Sequence, residues 1–107
     1  MKINLVVQKM KTKDLKEKVY EEISKIKKGN VLTYKELALK VGSPKAIRAV
    51  ATIVGKNPNP IVVPCHRVIR FNHKVGEYTH EGKRNQKMKI KLLRGEGINI
   101  KGDKVMI

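Results

Sequence analysis

The chain has one cysteine, Cys65, preceded by Pro64 and followed at once by His66 and Arg67. A thiol attacks carbon only as its thiolate, and thiolates form beside a base or a cation. The triplet therefore carries the parts of an activated sulfur nucleophile. In extended chain, successive side chains point to opposite sides, so Cys65 and His66 meet only if the backbone turns. Pro64 and the stiff Lys56-Asn57-Pro58-Asn59-Pro60 stretch ahead of it favour such a turn. On these residues alone a second reading stays open, in which Cys65 is a small buried hydrophobe. A single cysteine excludes an internal disulfide and a multi-cysteine zinc site. No ligand cluster points to a metal, and no cofactor is implied.

Three helices are expected ahead of this segment. The first runs from about Leu15 to Lys28, with Asp14 as cap, Glu17 completing a capping-box-like pair and Gly29 as the left-handed stop. Leu15, Val19, Ile23 and Ile26 form its apolar stripe. The second starts at Thr33, where Thr-Tyr-Lys-Glu reads as a capping box, and carries Leu37, Ala38 and Val41 up to Gly42. The third takes Ser43 as cap and Pro44 in its first turn, presents Ala46, Ile47, Val50, Ala51 and Val54, and stops at Gly55. With only Gly42 and Ser43 between them, the second and third helices read as a helix-turn-helix. After the Ile61-Val62-Val63 run and Cys65, a turn at Phe71-Asn72-His73-Lys74 is expected. A last helix spans Gln86 to Arg94 with Met88, Leu92 and Leu93 inward, and a small hairpin lies around Lys101-Gly102-Asp103.

A length of 107 residues fits one domain, taken as residues 14–107, with residues 1–13 a short arm or strand around the apolar run Ile3 to Val7. Nothing resembles a signal peptide or a membrane span, so a cytoplasmic protein with no membrane partner is expected. Lys and Arg number 25 against 9 Asp and Glu, a net charge of +16. Such an excess favours a polyanionic partner, although a lysine-rich surface alone has the same composition. The charge and the helix-turn-helix together point to DNA.

The wider pattern is specific. Asn57-Pro-x-Pro, then Ile-Val-Val-Pro-Cys-His-Arg-Val-Ile, follows a helix bearing Pro-Lys-Ala-x-Arg-Ala-Val. From about Asp14 to Gly97 the chain resembles the O6-alkylguanine-DNA alkyltransferases, also called methylated-DNA–protein-cysteine methyltransferases. The resemblance implies a mainly α domain with small β elements, a winged-helix-like helix-turn-helix carrying an active-site loop. It implies a monomer that acts on double-stranded DNA containing O6-alkylguanine, with O4-alkylthymine a further candidate, and transfers the alkyl group irreversibly to Cys65 in a single turnover.

Roles follow from the same resemblance. His66 takes the thiol proton through a water, Glu96 holds the far nitrogen of His66, and Asn57 bonds to backbone around the site and joins it to the recognition helix. Tyr34 donates a proton to the guanine ring. The Thr79 amide bonds to O6, the Cys65 and Val68 carbonyls accept from the exocyclic amine, and Tyr78 walls the alkyl pocket. Because a base inside a duplex is out of reach, the nucleotide is flipped out, with Arg48 filling the gap. Thr33 and Lys35, then Ser43, Ala46, Ile47 and Ala51, complete the DNA-facing set, the third helix entering the minor groove.

The chain departs from the family in three places. Family members usually carry a further N-terminal domain, where this chain has about a dozen residues. Thr79 to Asn85 is longer and more charged than in some relatives, and Glu77 stands where a neutral residue is frequent. The rival readings are a non-catalytic damage-binding relative, in which another residue, typically tryptophan, replaces the cysteine, and a DNA-binding or architectural helix-turn-helix protein with a structural cysteine.

Overall fold

The computed structural model describes residues 14–57, 63–76, 78–80 and 83–106, apart from the side chains of 79 and 80. The expected arm over residues 1–13, the start of the Ile61-Val62-Val63 run and Glu77 lie outside the described residues. Asp14 caps the first helix by accepting the Glu17 amide at 2.8 Å, and α1 runs Leu15–Ser24 with Val19 and Ile23 buried. It ends four residues short of the expected Lys28, and Gly29, at φ +90°, turns the connecting loop instead of stopping the helix. The ladder tightens as the Lys25 and Ile26 amides bond to the Glu22 and Ile23 carbonyls. The Ile26 carbonyl accepts from Arg67 Nη1 at 2.7 Å. That charge-assisted bond is worth more than a further turn of exposed lysines.

Strand β1 (Leu32–Thr33) leads into α2 (Tyr34–Lys40) through the capping box expected at Thr33 and Glu36. Helix α2 stops in a Schellman motif: the Ser43 amide reaches the Ala38 carbonyl at 2.9 Å and the Gly42 amide reaches Leu39 at 3.0 Å. Gly42 sits at φ +76°, where a side chain would be strained.

Ser43 is not the cap of the third helix. Its carbonyl then accepts the Ala46 amide at 2.9 Å, making a turn over Pro44 and Lys45. Helix α3 begins only at Ile47 and runs Ile47–Gly55, with Val50 and Val54 buried and no side-chain cap. The helix-turn-helix thus has a connection over residues 41–46, longer than the two residues expected.

A single 3-10 turn, Cys65–Arg67, precedes β2 (Val68–Ile69), which pairs in parallel with β1, Leu32 opposite Val68 and Thr33 opposite Ile69. Side chains alternate along a strand. Val68 accordingly joins the cluster of α1–α3, while Ile69 joins a second cluster with Val75, Leu93, Ile100 and Val105. The charged stretch from Thr79 holds an antiparallel pair, β3 (Thr79–His80) and β4 (Lys83–Arg84). Asn85 then caps α4 (Gln86–Gly95) by accepting the Met88 amide. The expected tail hairpin is present as β5 (Ile100–Lys101) and β6 (Lys104–Val105). The result is the expected mainly helical fold with small β elements. No helix among the described residues is long and apolar enough to cross a membrane.

Candidate active site

The turn demanded by the Cys-His pair exists. Pro64 leads into the 3-10 turn, in which both Cys65 and His66 are buried. Asn57, just past α3, donates from Nδ2 to the Val63 carbonyl at 2.7 Å, and the same carbonyl accepts the Cys65 amide at 2.7 Å. One side chain thus ties the end of α3 to the cysteine segment. Cys65, Tyr34, Tyr78 and Ala51 line one cleft of about 540 Å³, so a wall of it comes from α3.

Glu96 closes α4 as its C-cap, and its carboxylate is turned inward. Oε2 lies 3.0 Å from His66 Nε2. Arg67 grips the same carboxylate with two prongs, Nε to Oε1 at 2.9 Å and Nη2 to Oε2 at 2.6 Å. The guanidinium beside it holds the Glu96 carboxyl at about 2. A carboxylate only accepts, so His66 Nε2 carries the hydrogen and Nδ1 the lone pair. Nδ1 has no hydrogen-bond partner among the described residues.

Protonation states follow from the same surroundings. Burial pushes the Cys65 thiol up, and the Asn57 hydrogen bond and the Lys89 charge pull it only part of the way back. The sulfur keeps its proton at neutral pH and needs a base. Burial pushes His66 below the ordinary imidazole value, against the opposing pull of Glu96. A neutral imidazole is what such a base requires.

Three contributors went unassigned in the sequence. Lys89 is 1% exposed, donates to the Val68 carbonyl at 2.7 Å and lies 5.9 Å from the Tyr34 ring centroid. Burial lowers its ammonium to about 8. The signal was its spacing, four residues before Leu93 and seven before Glu96, on one helix face. Arg67 stood in the motif without a role. Gly76, at φ +74° in the cleft wall, leaves room for the Arg70 side chain, which would stand 3.1 Å from a Cβ there.

Of the remaining expected residues, Val68 is fully buried and Tyr78 nearly so, and burial pushes the Tyr78 phenol up to about 12. Thr79 is placed by its backbone in β3. Thr33 is 8% exposed, its hydroxyl committed to the helix cap. Lys35, Ile47 and Arg48 are exposed, while Ser43, Ala46 and Ala51 are half-buried.

Residues 14–98 match the family described as 6-O-methylguanine DNA methyltransferase, DNA binding domain. A probable methylated-DNA–protein-cysteine methyltransferase of Acanthamoeba polyphaga mimivirus is 48% identical over 67 residues, 62% of this chain and 45% of that protein. The methylated-DNA–protein-cysteine methyltransferase of Metallosphaera sedula is 40% identical over 93 residues, 87% of this chain and 55% of that one. Among solved structures, Mycobacterium tuberculosis OGT in complex with DNA superposes with a TM-score of 0.71 at 36% identity, covering 79% of this chain and 49% of that one. S. pombe Atl1 in complex with damaged DNA containing O6-carboxymethylguanine gives 0.69 at 30% identity, covering 80% and 78%. The chain thus spans about half the length of these two curated relatives.

Proposed function

The chain belongs to the 6-O-methylguanine DNA methyltransferase family, and on that premise we propose that it repairs double-stranded DNA by moving an alkyl group from guanine O6 onto Cys65. Residues 14–107 act as one unit, as a monomer in the cytoplasm, where a lone thiol stays reduced. The observation that carries the reading is the His66–Glu96 pair, which directly follows a buried thiol lining a cleft walled by α3.

In the reaction, His66 Nδ1 takes the thiol proton through a water while Glu96 stabilises the imidazolium on the far side. The sulfur lone pair forms the bond to the alkyl carbon, and the electrons of the carbon–O6 bond go to guanine. Guanine leaves as the neutral base once it gains a proton, which Tyr34 donates to the ring and ultimately recovers from the protonated relay. The thioether on Cys65 has no leaving route, and the chain has no second thiol to regenerate it.

Asn57 fixes the nucleophile's segment against α3. The Cys65 and Val68 carbonyls and the Thr79 amide read the base, and Tyr78 bounds the alkyl group. Lys35, Ser43, Ala46 and Ile47 contact the duplex, Thr33 caps the helix that presents Lys35, Ala51 allows close approach, and Arg48 fills the space of the extruded nucleotide. Relatives of this chain have been seen with DNA, one with a damaged guanine. A cysteine at position 65 sets the chain apart from the binding-only reading. The test is incubation with O6-benzylguanine followed by intact mass. One benzyl group on the wild type and none on Cys65→Ser supports transfer, and an unlabelled wild type overturns it.

A further inference from the structure

Glu96 serves two partners, and they compete. Oε2 receives Arg67 Nη2 at 2.6 Å and His66 Nε2 at 3.0 Å, while Oε1 receives Arg67 Nε at 2.9 Å. A two-pronged guanidinium–carboxylate pair is geometrically fixed and stronger than a single hydrogen bond from a neutral ring. The third prong, Nη1, is spent on the Ile26 carbonyl at the end of α1, so the guanidinium cannot swing away from Glu96 without losing that bond too.

We propose that Arg67 is a positioning residue for the transfer reaction, dividing the charge of Glu96 so that His66 rests neutral yet finds an aligned carboxylate when it becomes protonated. The inference rests on the alkyl-transfer reading above. The groups that face His66 are Glu96 and Lys89 from α4 and its own neighbours Cys65 and Arg67. Burial is the first cause of the neutral ring; among the charged groups only Glu96 favours the imidazolium, while Arg67 and Lys89 oppose it. With Arg67 gone, Glu96 would give its whole charge to His66. The imidazole would then keep its proton up to a higher pH and accept one from the thiol over a narrower range. A lysine cannot replace the arginine fully, because an ammonium is a point charge without the fork that occupies both oxygens.

The test reads the titration midpoint of His66 by NMR in wild type, Arg67→Lys and Arg67→Met, on free protein. In parallel, the acid limb of the Cys65 reaction with O6-benzylguanine is followed against pH. Arg67→Met should raise the His66 midpoint by about one unit and move the acid limb to higher pH by a similar amount. Arg67→Lys should move both by less. A merely structural clamp predicts slower reaction at every pH with unmoved midpoints, and that result overturns the proposal. If Arg67→Met does not fold, Arg67→Lys decides alone: a midpoint equal to wild type contradicts the inference. The NMR midpoint needs no alkyl transfer, so it still judges Arg67 if the wild type takes no benzyl group, an outcome that counts against the proposed function instead.

Discussion

His66 Nε2 and Glu96 Oε2 lie 3.0 Å apart, although thirty positions separate the two residues in the chain. The contact exists because α4 ends where the 3-10 turn begins its exit into β2, so a helix C-cap meets the residue after the cysteine. In the proposed reaction it makes Glu96 the orienter of the base, and the same contacts make it a source of stability.

Replacing Glu96 with Gln tests both roles. The folded carboxyl stands at about 2 against an ordinary 4.5. Its contribution is therefore fully present above pH 4.5 and is lost as pH falls toward 2. Allowing for solvent screening, Glu96→Gln should cost on the order of 1–2 kcal/mol at neutral pH. In denaturant titrations at a series of pH values, the gap between the two proteins should close toward pH 2. The same variant should slow Cys65 alkylation at least about tenfold.

Lys89→Met keeps length and removes charge. Since the ammonium pulls the Cys65 thiol down, the variant should raise the thiol's ionisation midpoint and slow its neutral-pH reaction with iodoacetamide by roughly several-fold. Stability should respond with the opposite sense of pH from a lysine whose ammonium is held by a carboxylate. The folded ammonium titrates at about 8 and a free one at 10.5, so the unfolded chain binds the proton more tightly in that window. The burden of burying Lys89 is full below about 8 and fades by 10.5, so wild type should gain on Lys89→Met as pH rises through it.

How much of this was legible in the sequence differs by residue. Thr33 and Asp14 announced their helices because a cap needs only three residues of local chain. Cys65, His66 and Asn57 stood together in one motif, whereas Glu96 was implied only by the resemblance; the structure sets Asn57 against the Val63 carbonyl and Glu96 against His66. Arg67 was not, because its burial depends on the Ile26 carbonyl, 41 positions away. Lys89 was missed because an ammonium on an apolar face contradicts the pattern that identifies the face. The start of α3 lies later than expected because the carbonyl of Ser43, a good N-cap by type, accepts the Ala46 amide and closes a separate turn ahead of the helix.

Arg48 is exposed on α3, and two roles for it can be separated. A side chain that fills the gap left by a flipped base offsets part of a cost of a few kcal/mol, and only in duplex DNA. Arg48→Ala should slow repair of a duplex lesion and leave the reaction with free O6-benzylguanine nearly unchanged. Arg48→Lys keeps a phosphate contact without the flat guanidinium. Duplex repair by Arg48→Lys at the wild-type rate would leave Arg48 only a backbone contact.

The +16 charge predicts that binding to undamaged duplex is salt-dependent and little affected by sequence. Several phosphate contacts imply a loss of about a hundredfold or more in affinity between about 50 mM and about 200 mM salt. Fluorescence anisotropy across that range checks it, and a flat response would assign the charge to some other partner.

The central claim is one transfer per molecule, to one atom. A duplex carrying a single isotopically labelled O6-methylguanine, supplied in excess, should leave one labelled methyl group per protein on Cys65, located by peptide mass after digestion. Transfer should stop at that one equivalent, and Cys65→Ser should take up none. Label on another residue, continued loss of methyl groups beyond one equivalent, or an unmodified Cys65 with the lesion intact would contradict the account.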